Sequence, residues 1–204
     1  MPGRGAAERG TKGQRTRERL LGAALGEFRR TGTARADVKA IASAAGVATA
    51  TFYFHFPTKE HVLVELERRE EERIAGELSR YFADSPTLPD ALARVVEAVA
   101  GLERRLGAVL FKDLLSLHFS TARAPEHIGA EHPVIVVVVE ILRRARESGV
   151  IAGDVDPLYL AVFFLVGLYG LLLTLPSAEP MRGQVLAQFV VTSLHGMRAH
   201  AVSA

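Results

Sequence analysis

Apolar residues recur every three or four positions along most of the chain, and nearly every run ends on a helix-breaking residue. Leu21, Ala24, Leu25 and Phe28 fall at i, i+3, i+4 and i+7, and Gly32 follows where a C-terminal cap belongs. Asp37 is a good N-cap for a second helix built on Val38, Ile41, Ala42 and Ala45, which Gly46 closes. Only Gly46 and Val47 separate this helix from the next apolar stretch, so the second and third helices must cross steeply. The third runs from about Thr49 to Phe56 and stops at Pro57. Thr58 then caps a long fourth helix carrying Leu63, Leu66, Ile74, Leu78 and Tyr81.

The pattern continues after a break at Ser85-Pro86-Thr87. Thr87 and Asp90 resemble a capping box opening a fifth helix, whose inner stripe is Leu92, Val95, Val96, Val99, Leu102 and Leu106. Val109 to Phe119 reads as a sixth helix, and Ala122 to Pro133 as a loop. Val134 to Val139 is a β-branched run that propensity alone assigns to a strand. Glu140 to Glu147 continues it with helix formers and no strand partner exists elsewhere, so a helix is expected. Gly149 ends that helix, and Asp156 followed by Pro157 starts another. The last two helices cover about 157–175 and 179–200. About nine helices and no strand make the expected fold class all-α.

One helix could be mistaken for a membrane span. No charged residue occurs between Asp156 and Glu179, and Leu158 to Leu175 is nearly continuous apolar sequence. Its flanks are acidic rather than basic, no aromatic belt brackets it, and amphipathic helices surround it. A helix apolar all round is equally the mark of deep burial. The expectation is therefore no membrane, with one face on the protomer's own core and the other on a second copy.

Charge changes the picture more than composition does. The chain of 204 residues is 49% hydrophobic and 24% charged, an ordinary globular balance with room for a small domain beside a larger one. Without Cys it can hold no disulfide and no Cys-based metal site. The net charge of +2 hides an asymmetry, because residues 1–61 carry eleven Lys/Arg against five Asp/Glu while the remainder is acidic. A basic first third on an acidic body suits a polyanion-binding module joined to something that binds no polyanion. Residues 1–16 are polar and lack the apolar stretch of a secretory signal, so they are expected to be a flexible basic arm on a cytoplasmic protein. Arg4, Arg9, Lys12, Arg15 and Arg17 could neutralise phosphates from that arm, or simply solubilise it.

The stretch from Ala23 to Leu66 resembles the tetracycline-repressor (TetR) family of regulators. The matching residues are Ala23-Ala24, Phe28, Gly32, Val38, Ile41-Ala42, Ala45-Gly46-Val47, Thr51-Phe52-Tyr53, His55-Phe56, Lys59 and Leu63. The resemblance covers about a fifth of the chain, densely in order and spacing. It implies a three-helix helix-turn-helix DNA-binding domain over 17–62, and a helical effector and dimerisation domain over 63–204. It further implies a homodimer formed through the last two helices, a roughly palindromic operator of double-stranded DNA, and release by a small-molecule effector. Repression is the family's usual mode. By the same resemblance Lys39 near the start of helix two contacts DNA, and His55 falls on a position the family uses there.

The residues themselves fit this role. A helix in the major groove needs an apolar face to anchor it and a small polar face for base edges. Phe52 and Phe56 supply the anchor, and Thr49, Ala50 and Thr51 are short enough for close approach. Tyr53, and Lys59 at the next helix start, are placed to contact phosphates. Each has a bland alternative: Thr49 caps helix three, Tyr53 packs in the core, and Lys59 is a solvated charge. Phe54 either touches a sugar or thymine methyl or is tucked inside. The family's usual Ser one position before Thr49 is Ala48 here, which leaves the start of helix three open.

For the effector, the candidate contacts are Phe111, Leu115, His118, Phe119, Phe163 and Tyr169, several of which are plain core on the bland reading. An apolar lining would suit a hydrophobic or aromatic molecule. His127 and Glu131, four apart, have metal-ligand spacing but lie in the loop-like stretch. No Walker, dinucleotide or nucleophile-elbow signature is present, so neither an enzyme nor a cofactor is expected. The alternative function is a membrane-associated or purely dimeric helical interaction protein without sequence-specific DNA binding.

Overall fold

The structure, a computed structural model, describes residues 4–118, 132–151, 153–176 and 178–197. These form nine helices: α1 (Arg4–Thr31), α2 (Val38–Ala44), α3 (Thr49–His55), α4 (Lys59–Phe82), α5 (Leu88–Leu106), α6 (Ala108–His118), α7 (Pro133–Glu147), α8 (Pro157–Thr174) and α9 (Met181–Met197). No strand occurs among the described residues, and the β-branched run Val134–Val139 is helical. Its Val134, Val138, Ile141, Leu142 and Ala145 are buried at helical spacing. The alternation that a strand would need is absent, and the 3.6-residue period prevails over local propensity.

The helix starts and stops follow local chemistry. Asp37 accepts from the Lys39 N–H at 2.8 Å and Asp156 from the Leu158 N–H at 2.8 Å, each capping the helix that follows. Thr87 Oγ1 accepts from the Asp90 N–H at 3.4 Å and donates to the Asp90 carboxylate at 2.5 Å, a capping box closed side chain to side chain. Gly32, Gly46 and Gly149 all have positive φ, the conformation that ends their helices.

The first helix begins at Arg4, well before the apolar stripe, so residues 4–16 belong to α1 where a flexible arm was expected. Apart from its glycines this stretch is largely Arg, Ala, Glu, Lys and Gln, good helix formers that carry no apolar periodicity to announce themselves.

The chain divides into two compact units. The first is Met1–Arg68 with Leu106–Leu117, so it contains α1 to α3, the start of α4, and α6. The second is Arg69–Arg105 with His118–Ala204. The boundary expected after residue 62 falls inside α4. In the first unit Leu20, Ala24, Phe28, Ile41, Ala42, Phe52, Phe56 and Val62 are buried.

The second unit is tied by charge as well as by apolar burial. Arg105, Glu70, Arg73, Glu77, Arg94 and Glu97 form an alternating chain of ion pairs linking α4 and α5. The buried Arg182 of α9 pairs with Glu103 of α5 at 2.5 Å. His132, at the start of α7, places Nδ1 3.0 Å from the Glu71 carboxylate of α4. His127 and Glu131 lie outside the described residues, and no group of three metal-ligating side chains occurs among those described.

Candidate nucleic-acid interface

The turn between α2 and α3 is made by backbone chemistry. The Val47 N–H donates to the Ala42 carbonyl at 3.0 Å and the Gly46 N–H to the Ser43 carbonyl at 2.9 Å. This is a Schellman cap, and it requires the left-handed φ of 66° at Gly46. Ala48 follows in extended conformation as the N-cap of α3, with no side-chain cap bond. Thr49 is therefore the first helical residue rather than the cap, and the missing Ser leaves the helix start unchanged.

Helix α3 is seated by two phenylalanines. Phe52 and Phe56 are buried, their ring centroids 5.9 Å apart. Arg17 of α1 lies over the Phe56 ring at 4.7 Å and reaches Glu65 of α4 with two contacts, at 3.1 and 3.2 Å. Of the cations offered by the first nineteen residues, Arg17 is thus held within the unit, while Lys12 and Arg15 are exposed on α1. The side chains of Arg4 and Arg9 lie outside the described residues.

With Phe52 and Phe56 inside, the rest of α3 faces out. Ala50, Tyr53 and Phe54 are exposed, Tyr53 at 51% and Phe54 at 83%, while Thr49, Thr51 and His55 are half-buried. Tyr53 meets Phe52 edge-on at 5.5 Å, which orients its ring without covering it. Phe54 meets the His55 ring edge-on at 5.2 Å. Lys39 is exposed on α2. Seven of the eight predicted residues thus lie on two consecutive helices, as a reading head requires.

The eighth, Lys59, is engaged. Its Nζ donates to the carbonyls of Ala34 at 2.9 Å and Ala36 at 3.1 Å, fastening the loop between α1 and α2 to the start of α4. An ammonium has three protons, so one more acceptor can be met. Beside it Glu60 is held below the ordinary carboxylate range, first by a hydrogen bond from Thr58 and then by its own backbone N–H at the helix start.

Asp113 of α6 was not singled out by sequence. Its carboxylate accepts from the Thr33 N–H at 2.7 Å, and the Arg29 Nε donates to the Leu106 carbonyl at 3.2 Å. These bonds anchor α6 to the end of α1 within the first unit. The only signal in the sequence was a lone carboxylate, beside Lys112, on a mostly apolar helix.

The effector candidates fall in different surroundings. Phe111 and Leu115 are closed to solvent in the first unit. In the second, Phe163 is 71% exposed on the outer side of α8 and Tyr169 is half-buried. The side chain of His118, and Phe119 altogether, lie outside the described residues. A groove of about 540 Å³ lies between α5 and α9, walled by Val96, Ala100, Leu186 and Val190, and includes the Glu103–Arg182 pair. None of the four described candidates, Phe111, Leu115, Phe163 and Tyr169, lines it.

The model of the bacterial regulatory proteins of the tetR family matches residues 20–66, the segment that builds this reading head. This chain is similar to the tetR family of regulators over that segment. Its fold, too, is that of TetR-family structures. The fatty acid degradation regulator FadR of Bacillus halodurans is 18% identical with a TM-score of 0.68, over 89% of this chain and 99% of that one. Thermus thermophilus FadR, a TetR-family transcriptional repressor solved with lauroyl-CoA, is 25% identical with a TM-score of 0.65, over 92% and 98%. SmeT, the repressor of the Stenotrophomonas maltophilia multidrug efflux pump SmeDEF, is 21% identical with a TM-score of 0.61, over 92% and 93%. No curated protein sequence matches the chain.

Proposed function

We propose that this chain is a cytoplasmic, non-catalytic transcriptional repressor of the TetR family that binds a roughly palindromic operator as a homodimer and is released by a small hydrophobic effector. The observation that carries the reading is the outward face of α2 and α3, which presents Lys39, Ala50, Tyr53 and Phe54 on a buried Phe52–Phe56 seat. Thr49, Thr51 and His55 supply hydroxyls and a ring nitrogen along its flank, Tyr53 and Lys39 meet phosphates, and Lys59 adds its remaining proton.

The homodimer is supported by α8 and α9. Tyr159, Phe163 and Val166 recur at helical spacing and are 62%, 71% and 50% exposed, an apolar stripe open on one face of α8. A second copy presenting the same stripe covers it about a two-fold axis, which also pairs two recognition helices for two half-sites. The effector reading draws on the lauroyl-CoA held by the Thermus relative and on the α5–α9 groove, whose apolar walls suit a hydrophobic body. An effector that binds one dimer arrangement better than the other shifts the operator affinity accordingly.

The second reading, a membrane-associated or purely dimeric helical protein, draws on α8. That helix is long and apolar enough to cross a membrane, and 33% of its 18 residues are buried. Titration and footprinting of the full chain on its own flanking intergenic DNA and on a randomised duplex pool, at several salt concentrations, separates the two. A symmetric protected site, weakened by salt and by Tyr53→Phe and Lys39→Ala, supports the repressor. Failure to select any duplex from the pool, with detergent-dependent solubility, favours the alternative.

A further inference from the structure

The outward face of α3 has a composition that restricts what it can read. The helix Thr49–His55 contains no Arg, Lys, Asn, Gln, Asp or Glu. Those are the side chains that recognise guanine and adenine by paired hydrogen bonds or accept from cytosine. Their absence leaves the single hydroxyls of half-buried Thr49 and Thr51 and the His55 ring on its flank. What faces out is Ala50, Tyr53 and Phe54, continued by Pro57, which is also exposed. Within this face Phe54 is 83% exposed, and among the described residues its ring meets that of His55 edge-on, with an interplanar angle of 83°. A phenylalanine this open gains nothing from its own fold. Burying such a side chain against apolar surface is stabilising, so a partner supplies what its own fold does not.

Base edges in the major groove offer one apolar group, the C5 methyl of thymine. We propose that Phe54 reads a thymine methyl, so that half-site specificity rests on apolar contact rather than on paired hydrogen bonds to purines. This rests on the DNA-binding reading above and names what that face recognises. His55, packed against the ring, is a positioning residue that limits where Phe54 can point. Ala50, one turn earlier on the same face, leaves room for the backbone to approach.

The test uses the full chain and a duplex selected from a randomised pool. Each thymine of one half-site is replaced in turn by uracil, which pairs identically and lacks only the methyl. At one position uracil should weaken binding about fourfold, the worth of one buried methyl, and 5-methylcytosine there should bind better than cytosine. In Phe54→Ala the uracil penalty at that position should shrink below about twofold, while Phe54→Leu, which keeps an apolar surface, retains part of it. Uracil tolerated at every position, or a penalty undiminished in Phe54→Ala, overturns the inference and leaves the DNA-binding reading standing. A pool that yields no selected site overturns both.

Discussion

Among the described residues the most open aromatic side chains lie on α3, Tyr53 and Phe54, and on α8, Tyr159 and Phe163 beside the exposed Val166. The difference lies in their company. The first 61 residues, which hold α3, carry eleven Lys/Arg against five Asp/Glu, and Lys39 is exposed on the preceding helix. Around α8 there is no charge from Pro157 to Ala178. An apolar patch amid cations suits a partner that is a polyanion with apolar groups on its edges, which is duplex DNA. A patch without charge suits a partner with the same apolar stripe, which is a second copy. Exposed apolar area alone does not identify a partner; the neighbouring charges do.

The sharpest break of this comparison uses an inward and an outward residue of α3. Phe52→Ala removes the buried anchor and should cost about 3–5 kcal/mol of stability, measured by urea unfolding. Phe54→Ala, two positions on, should stay within about 0.5 kcal/mol of the parent in the same experiment. A comparable loss at both positions would mean that the outer face of α3 is packed rather than open.

On α8 a charge should do what no alanine does. Phe163→Asp places a carboxylate in the apolar stripe and is expected to shift sedimentation toward the monomer. Operator affinity should fall about 100-fold or more as the two reading heads lose their linkage. An unchanged dimer would move the interface elsewhere and remove the distinction between the two faces.

Lys59 sharpens the account of the reading head itself. Lys59→Ala removes the donor to the Ala34 and Ala36 carbonyls, one exposed and one part-buried, and should cost about 0.5–1.5 kcal/mol in urea unfolding. Tyr53→Phe removes only a hydroxyl from an exposed ring, so it should weaken DNA binding with no change in unfolding. If Lys59→Ala alters binding alone, its bonds to the loop contribute nothing to the fold.

The smallest effect is on a charged face, that of α7. Glu140 accepts hydrogen bonds from Arg143 and then Arg144, which lower its carboxyl from 4.5 to about 2. Because the folded value is depressed, the stabilisation is complete above pH 4.5 and is lost as pH falls toward about 2. The groups are solvent-facing, so the gain is heavily screened. The Tm difference between the parent and Glu140→Gln should be small at neutral pH and vanish across that window. A difference that persists at low pH would mean that Glu140 acts through packing.

Sequence alone determined what depends on neighbours in the chain. The caps at Asp37, Thr87 and Asp156, the left-handed glycines, the turn at Gly46 and the inward Phe52 and Phe56 all follow from spacing within a few residues. For the same reason the position of the helix-turn-helix was legible, and the seven residues expected on α2 and α3 lie exposed or half-buried there. Tertiary structure alone decided the employment of single polar side chains across long separations. Lys59 fastens carbonyls 23 and 25 residues away, Arg17 reaches Glu65 48 residues on, and Asp113 holds a backbone N–H at a separation of 80. Helical period records which way a side chain points. The donor or acceptor that waits there belongs to another element, and no local pattern encodes it.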